Sequence, residues 1–170
     1  YPAERDLVAI ESRDGHALLL FSDGQVCTAE SGTAQFVPFV TLPFSDDYYM
    51  KMYLDKDDRA WFFVPHSFHG NLISYDVKTK SFNEIRDNDG RVINFVTDVI
   101  DDDKGNLWIS TDNSGIIVYD KLDGTSYKMV KDENEEYSIP SSHVECLYLD
   151  CQDIMWVGTS KRGIAYTCLN

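Results

Sequence analysis

Two imidazoles stand three residues apart in His66-Ser67-Phe68-His69, a spacing that could place both on one ion or aim both at a sugar hydroxyl. A metal centre needs a third ligand, commonly a carboxylate, and nothing local at metal-ligand spacing supplies one. The run Asp101-Asp102-Asp103 with Asn106 is similar to the start of a calcium loop. It lacks the glycine and the terminal glutamate that a twelve-residue loop requires, so a turn between strands is the expected role. Thr111 and Thr159 follow a tryptophan at the same place, with Ser110 and Ser160 beside them, which suits hydroxyls bonding to backbone at a strand end better than activated nucleophiles. Carboxylates are plentiful, but no pair stands at glycosidase spacing in a pattern that turns do not already explain. No catalytic residue, metal or cofactor is therefore expected, and the chain reads as a non-enzyme.

The elements that must position these residues are set by a repeat. Ile100-Asp101-Asp102-Asp103-Lys104-Gly105-Asn106-Leu107-Trp108-Ile109-Ser110-Thr111 is echoed by Tyr148-Leu149-Asp150-Cys151-Gln152-Asp153-Ile154-Met155-Trp156-Val157-Gly158-Thr159. Trp61 marks a second copy, and Leu18 holds the tryptophan place in a weaker first one. The marker residues fall 43, 47 and 48 positions apart, a period that belongs to propeller blades.

Laid in register, each copy opens with an apolar strand: Leu7 to Ile10, Met50 to Leu54, Val96 to Ile100 and Val144 to Leu149. A polar turn follows, such as Arg13-Asp14-Gly15-His16 or Asp103-Lys104-Gly105-Asn106. A second strand carries the Trp and ends in a loop closed by Gly24, Gly70, Gly115 or Gly163. A third strand runs to Tyr75-Asp76, Tyr119-Asp120 or Tyr166, and a fourth is plainest in Lys80 to Ile85 and Thr125 to Val130. Four strands make one antiparallel blade, which must stack on neighbours to bury its faces. The expected fold is all-β: a partial β-propeller over 1–170, with blade-like repeats at about 6–44, 48–90, 95–131 and 143–170. That is about 3.5–4 blades, the last stopping after its third strand, so the chain is expected to be a fragment trimmed at both ends.

The run from Asp101 to Thr111, with Gly115-Ile116 and Tyr119-Asp120, resembles the two-component regulator propeller repeat, whose usual form is D-x-x-G-x-L-W-I-G-T-x-x-x-G-L-x-x-Y-D. Tyr137-Ser138-Ile139-Pro140-Ser141-Ser142-His143-Val144 is similar to that family's linker into the next repeat. The third and fourth copies match closely, the second through Trp61, Gly70 and Tyr75-Asp76, and the first through Asp14-Gly15 and Asp23-Gly24. The resemblance implies a seven-bladed propeller in the periplasmic part of a hybrid two-component histidine kinase that senses oligosaccharides from polysaccharide breakdown. Kinase, receiver and DNA-binding parts would lie elsewhere in the parent. The alternative is a free-standing or secreted propeller acting as a lyase, a hydrolase or an interaction scaffold, since propellers host many functions.

Because a residue repeated at one blade position performs one packing task, Trp61, Trp108 and Trp156 are expected to fill space between sheets, with Gly70, Gly115 and Gly163 as structural turns. Ligand specificity should come from what differs between blades. Loops joining strands two and three, and strand four to the next strand one, share a face. On it would lie His66, Phe68, His69, Arg86, Asp112, Asn113, Tyr137, Lys161 and Arg162. Expected partners are an oligosaccharide, and either other blades of the parent or a second copy that completes the ring.

A net charge of -14 argues against nucleic acid and against an anionic membrane surface. No apolar run approaches 18 residues, so this segment is not expected to insert in a membrane. Cys27, Cys146, Cys151 and Cys168 are expected to stay unbridged and to serve as small buried hydrophobes.

Overall fold

The computed structural model describes residues 5–13, 15–30, 32, 35–44, 49–69, 71–76 and 79–170. These residues form only strands and turns, in four antiparallel sheets, each a simple meander. The first sheet joins β1 (Leu7–Arg13), β2 (His16–Phe21), β3 (Gln25–Glu30) and β4 (Phe36–Thr41). The second joins β5 (Lys51–Leu54), β6 (Ala60–Phe63), β7 (Ile73–Asp76) and β8 (Ser81–Glu84). The third joins β9 (Val96–Asp101), β10 (Asn106–Thr111), β11 (Ile116–Asp120) and β12 (Ser126–Met129). The fourth holds β13 (Val144–Leu149), β14 (Ile154–Thr159) and β15 (Gly163–Cys168).

The chain divides into two compact units, 1–64 with 73–83 and 65–72 with 84–170. In the first, Leu20, Val26, Met52, Phe62 and Ile73 form a buried cluster drawn from the first two sheets. In the second, Trp108, Ile116 and Val118 of the third sheet meet Val144, Leu147, Met155 and Val157 of the fourth. Two hydrogen bonds tie that stack: Thr97 Oγ1 donates to the Val144 carbonyl at 2.7 Å, and the Leu147 amide donates to Asp98 Oδ2 at 3.0 Å. A blade exposes two apolar faces, and stacking is how each covers one.

The tryptophans occupy one register. Trp61 lies between Tyr53 and Ser74, Trp108 between Ile100 and Val118, and Trp156 between Tyr148 and Tyr166. Trp61 and Trp108 are buried and Trp156 is half-buried. Leu18 lies between Glu11 and Thr28, but its hairpin is tighter than its repeat equivalents. Arg13 pairs with His16, so only two residues connect β1 to β2, whereas five separate Leu149 from its partner Met155. The first turn is therefore shorter than its repeat equivalents and is not in register with them.

Four positions behave otherwise than the sequence suggests, or fall outside the described residues. Cys27 is buried, and desolvation pushes its thiol up, but Cys146, Cys151 and Cys168 are exposed. Cys151 sits in the β13–β14 turn, and Cys168 shares by alternation the outer face of β15 with Ile164 and Tyr166, which are 72% and 65% exposed. All four cysteines are free. Gly70 lies outside the described residues.

The wider turns need a left-handed residue three positions before the tryptophan. Gly105 fills it at φ +88°, but Asp58 and Asp153 fill it at +59° and +58°. A left-handed L-residue is strained by about 1–2 kcal/mol, offset in part by the greater backbone freedom glycine loses. Asp153→Gly should therefore raise stability by about 0.5 kcal/mol in urea unfolding. A decrease would show that the aspartate side chain contributes more than its backbone strain costs.

Candidate functional site

Each tryptophan-bearing hairpin is clamped by an aspartate six residues earlier. The indole Nε1 of Trp61 donates to Asp55 Oδ2 at 2.8 Å, that of Trp108 to Asp102 Oδ2 at 2.9 Å, and that of Trp156 to Asp150 Oδ2 at 2.9 Å. The other carboxylate oxygen gathers the turn. Asp102 Oδ1 accepts from the amides of Lys104 and Asn106, and Asp55 and Asp150 do the same in their own turns. Burial alone would raise the Asp102 carboxyl. Hydrogen bonds from the Asn106 side chain, the Trp108 indole and the two amides outweigh it and hold the group below the usual aspartate range. Asp102 is therefore a turn organiser, and the calcium-loop pattern around it is absorbed by protein donors. The clamp was visible in the sequence: Ser12 stands in its place in the one copy that has Leu18 for Trp.

With the hairpins fixed, the second unit brings together side chains remote in sequence. His66, from the loop after β6, holds Nδ1 at 3.4 Å from Asp112 Oδ2 and Nε2 at 3.8 Å from Glu145 Oε2. His143 Nδ1 lies 3.4 Å from the other Asp112 oxygen. The His66 backbone is left-handed at φ +59°, and its amide donates to the Val96 carbonyl. These imidazoles are half exposed or more, at separations long for hydrogen bonds, so the group can offer donors and acceptors to a ligand but shows no activated base. Among the described residues no three His, Cys, Asp or Glu are arranged to hold a metal ion.

The remaining candidates fall into separate places. Phe68 is 60% exposed and stands against His69 and Phe95, with ring centroids 5.1 and 5.7 Å away. Arg86 is engaged structurally, by Glu84 at 2.5 Å and the Gly90 carbonyl at 2.8 Å. Asn113 accepts from the Ser114 hydroxyl, and Tyr137 is 93% exposed. Lys161 and Arg162 open onto a cavity of about 620 Å³ beneath the β12–β13 linker, shared with Lys131, His143 and the hydroxyls of Ser142 and Ser160. Sequence spacing does not single out His143, Glu145 or Lys131 for this place. They come from a linker and a first strand, and only the stacking of two sheets sets them beside the loops after β6, β10 and β14.

Four antiparallel sheets with this shared register are propeller blades. The two component regulator propeller model matches residues 90–113, which include β9, the Asp102 turn and β10. That stretch carries the repeat that the sequence resembles. No curated protein matches the chain. Among solved structures, the extracellular domain of the putative hybrid two component system BT3049 from B. thetaiotaomicron aligns with a TM-score of 0.62 at 18% identity, covering 93% of this chain and 19% of that one. The corresponding domain of BT4673 from the same organism aligns at 0.64 and 19% identity, covering 99% and 25%. The computationally designed Ika4 protein aligns at 0.63 and 14% identity, covering 97% and 92%. At such identities the likeness establishes the fold alone, and the chain spans about a quarter or less of the two bacterial domains.

Proposed function

We propose that this chain is part of the extracytoplasmic ligand-sensing propeller of a two-component receptor, and that it is not catalytic. The observation that carries this reading is the family repeat over residues 90–113, within a fold also found in extracellular domains of two-component systems. We take its blades as 6–44, 48–90, 95–131 and 143–170, within a larger propeller supplied by the parent or completed by a second copy. The parent would be a hybrid sensor histidine kinase in the inner membrane, with this segment in the periplasm. Among the described residues no helix is long and apolar enough to cross a membrane. The outer face of the last sheet, where Tyr148, Ile164 and Tyr166 are exposed, is where a further blade or copy would pack.

The ligand would be an oligosaccharide from polysaccharide breakdown, met on the face that carries His66, Asp112, His143, Lys161 and Arg162. Binding would shift the receptor between two arrangements by favouring one of them. The test is thermal unfolding of the parent's intact extracellular region against a panel of polysaccharide fragments, because a ligand of the native state raises the midpoint. A rise with one glycan class, with that glycan left unconsumed, is the expected result. Turnover of the glycan would replace this reading with an enzyme, and a flat panel would replace it with an interaction scaffold.

A further inference from the structure

We infer that the cavity between the β12–β13 linker and the β14–β15 turn binds an anionic group, a carboxylate or sulfate carried on a saccharide; this deepens the sensing role proposed above and rests on it. The chain has 29 acidic residues against 15 Lys and Arg, yet three of those cations, Lys131, Lys161 and Arg162, line this one cavity. Its single acidic residue, Glu133, pairs with Lys131 at 3.1 Å and is 83% exposed, so it lies toward solvent. Lys161 and Arg162 have no partner among the described residues. A local excess of positive charge in a strongly negative chain concentrates anions where the rest of the surface repels them.

The walls suit such a ligand better than a neutral sugar. No Trp, Tyr or Phe lines the cavity, and its one ring, the His143 imidazole, is a small polar face for a pyranose to stack on. Directed bonds from cations must then supply the affinity, and a guanidinium offers the paired donors that carboxylate and sulfate accept. The frame is fixed. Ser142 accepts the Lys131 amide on its hydroxyl at 3.0 Å and the Gly115 amide on its carbonyl at 2.9 Å, while the Ser160 amide donates to the His143 carbonyl at 2.9 Å. Lys161 is held left-handed at φ +63°, a conformation retained where surrounding structure imposes it. A volume of about 620 Å³ lies within the roughly 300–1,000 Å³ usual for small-molecule sites.

The repeat supplies an internal control. The loop that reads Ser160-Lys161-Arg162 in the fourth copy reads Asp112-Asn113-Ser114 in the third and Pro65-His66-Ser67 in the second. The backbone task is shared, since Thr111 and Thr159 each donate their hydroxyl to the glycine carbonyl four residues on, at 2.9 and 2.7 Å. The two cations belong to one blade only, and so serve something other than the fold.

The experiment is calorimetric titration of the chain with trigalacturonate, with its neutral methyl ester, and with neocarrabiose 4-sulfate. At least one of the two acids should bind, and salt should weaken it. If trigalacturonate is the one that binds, its ester should bind at least tenfold more weakly. Lys161→Ala and Arg162→Ala should each reduce affinity about tenfold, the size expected for a lost charge-assisted hydrogen bond. Arg91→Ala, which removes a cation paired with Asp89 outside the cavity, should leave affinity unchanged. Equal binding of trigalacturonate and its ester, indifference to both cavity substitutions, or no binding of either acid would overturn the inference. Neutral fragments that still raised the melting point of the intact extracellular region would then leave the sensing role standing. Binding of the acids without any such rise would keep the anion site and remove the role.

Discussion

Asp102→Ala should lower the unfolding free energy of the protein by about 3 kcal/mol, the sum expected when a buried donor is orphaned and a turn loses its acceptor. The carboxylate accepts four bonds of 2.8 to 2.9 Å, from the Lys104 amide, the Asn106 amide and side chain, and the Trp108 indole. Water can reach the Asn106 groups once the carboxylate has gone, but Trp108 is 3% exposed and its N–H would be left without a partner. Urea unfolding followed by tryptophan fluorescence measures the loss. Trp108→Phe in the same background should show coupling, because the second substitution removes the donor that the first one strands. A loss under 1 kcal/mol would show that the clamp follows the fold rather than supports it. The group also carries a pH signature. Its folded carboxyl lies below the unfolded value near 3.9, so its contribution is complete above that value and is lost as pH falls through the folded one. Asp102→Asn should therefore flatten the decline of stability below about pH 4.

The fold was legible because one residue type recurred in one context. Trp61, Trp108 and Trp156 mark second strands, and the flanking polar turns and glycines follow from that register. What the sequence does not display is governed by pairing rather than pattern. β4 is not legible in the sequence, because Phe36-Val37-Pro38-Phe39-Val40 lacks alternation and contains a proline, which an edge strand tolerates since one side of it needs no ladder bonds. The exposure of Cys146 and Cys168 follows from their place in the last sheet, which a strand-by-strand reading treats like any other. For the site, choosing loops of one face brought out His66 with Asp112, and Lys161 with Arg162. His143 and Glu145 could not be found that way, because they flank the start of β13 and reach the cluster only through sheet stacking.

Gly115→Ala and Gly163→Ala, the same substitution at the same repeat position, should differ by about 2 kcal/mol or more in urea unfolding. Both glycines are left-handed, at φ +73° and +79°, so both alanines meet a backbone strain of about 1–2 kcal/mol. Only Gly115 has a fourth strand beside it. A Cβ there would lie 2.1 Å from the Met129 carbonyl oxygen, a backbone atom that can yield only if β12 moves away from β11, and the cost should reach about 3 kcal/mol or more. A Cβ on Gly163 meets nothing within 4 Å. Equal losses at the two positions would mean that β12 yields freely and that the left-handed backbone accounts for the whole effect. The difference also reports on what adjoins β15 in a longer polypeptide. If a fourth strand packs there as β12 packs on β11, Gly163→Ala in that longer chain should become as costly as Gly115→Ala; if the edge of β15 stays open, its cost should remain that of the backbone alone.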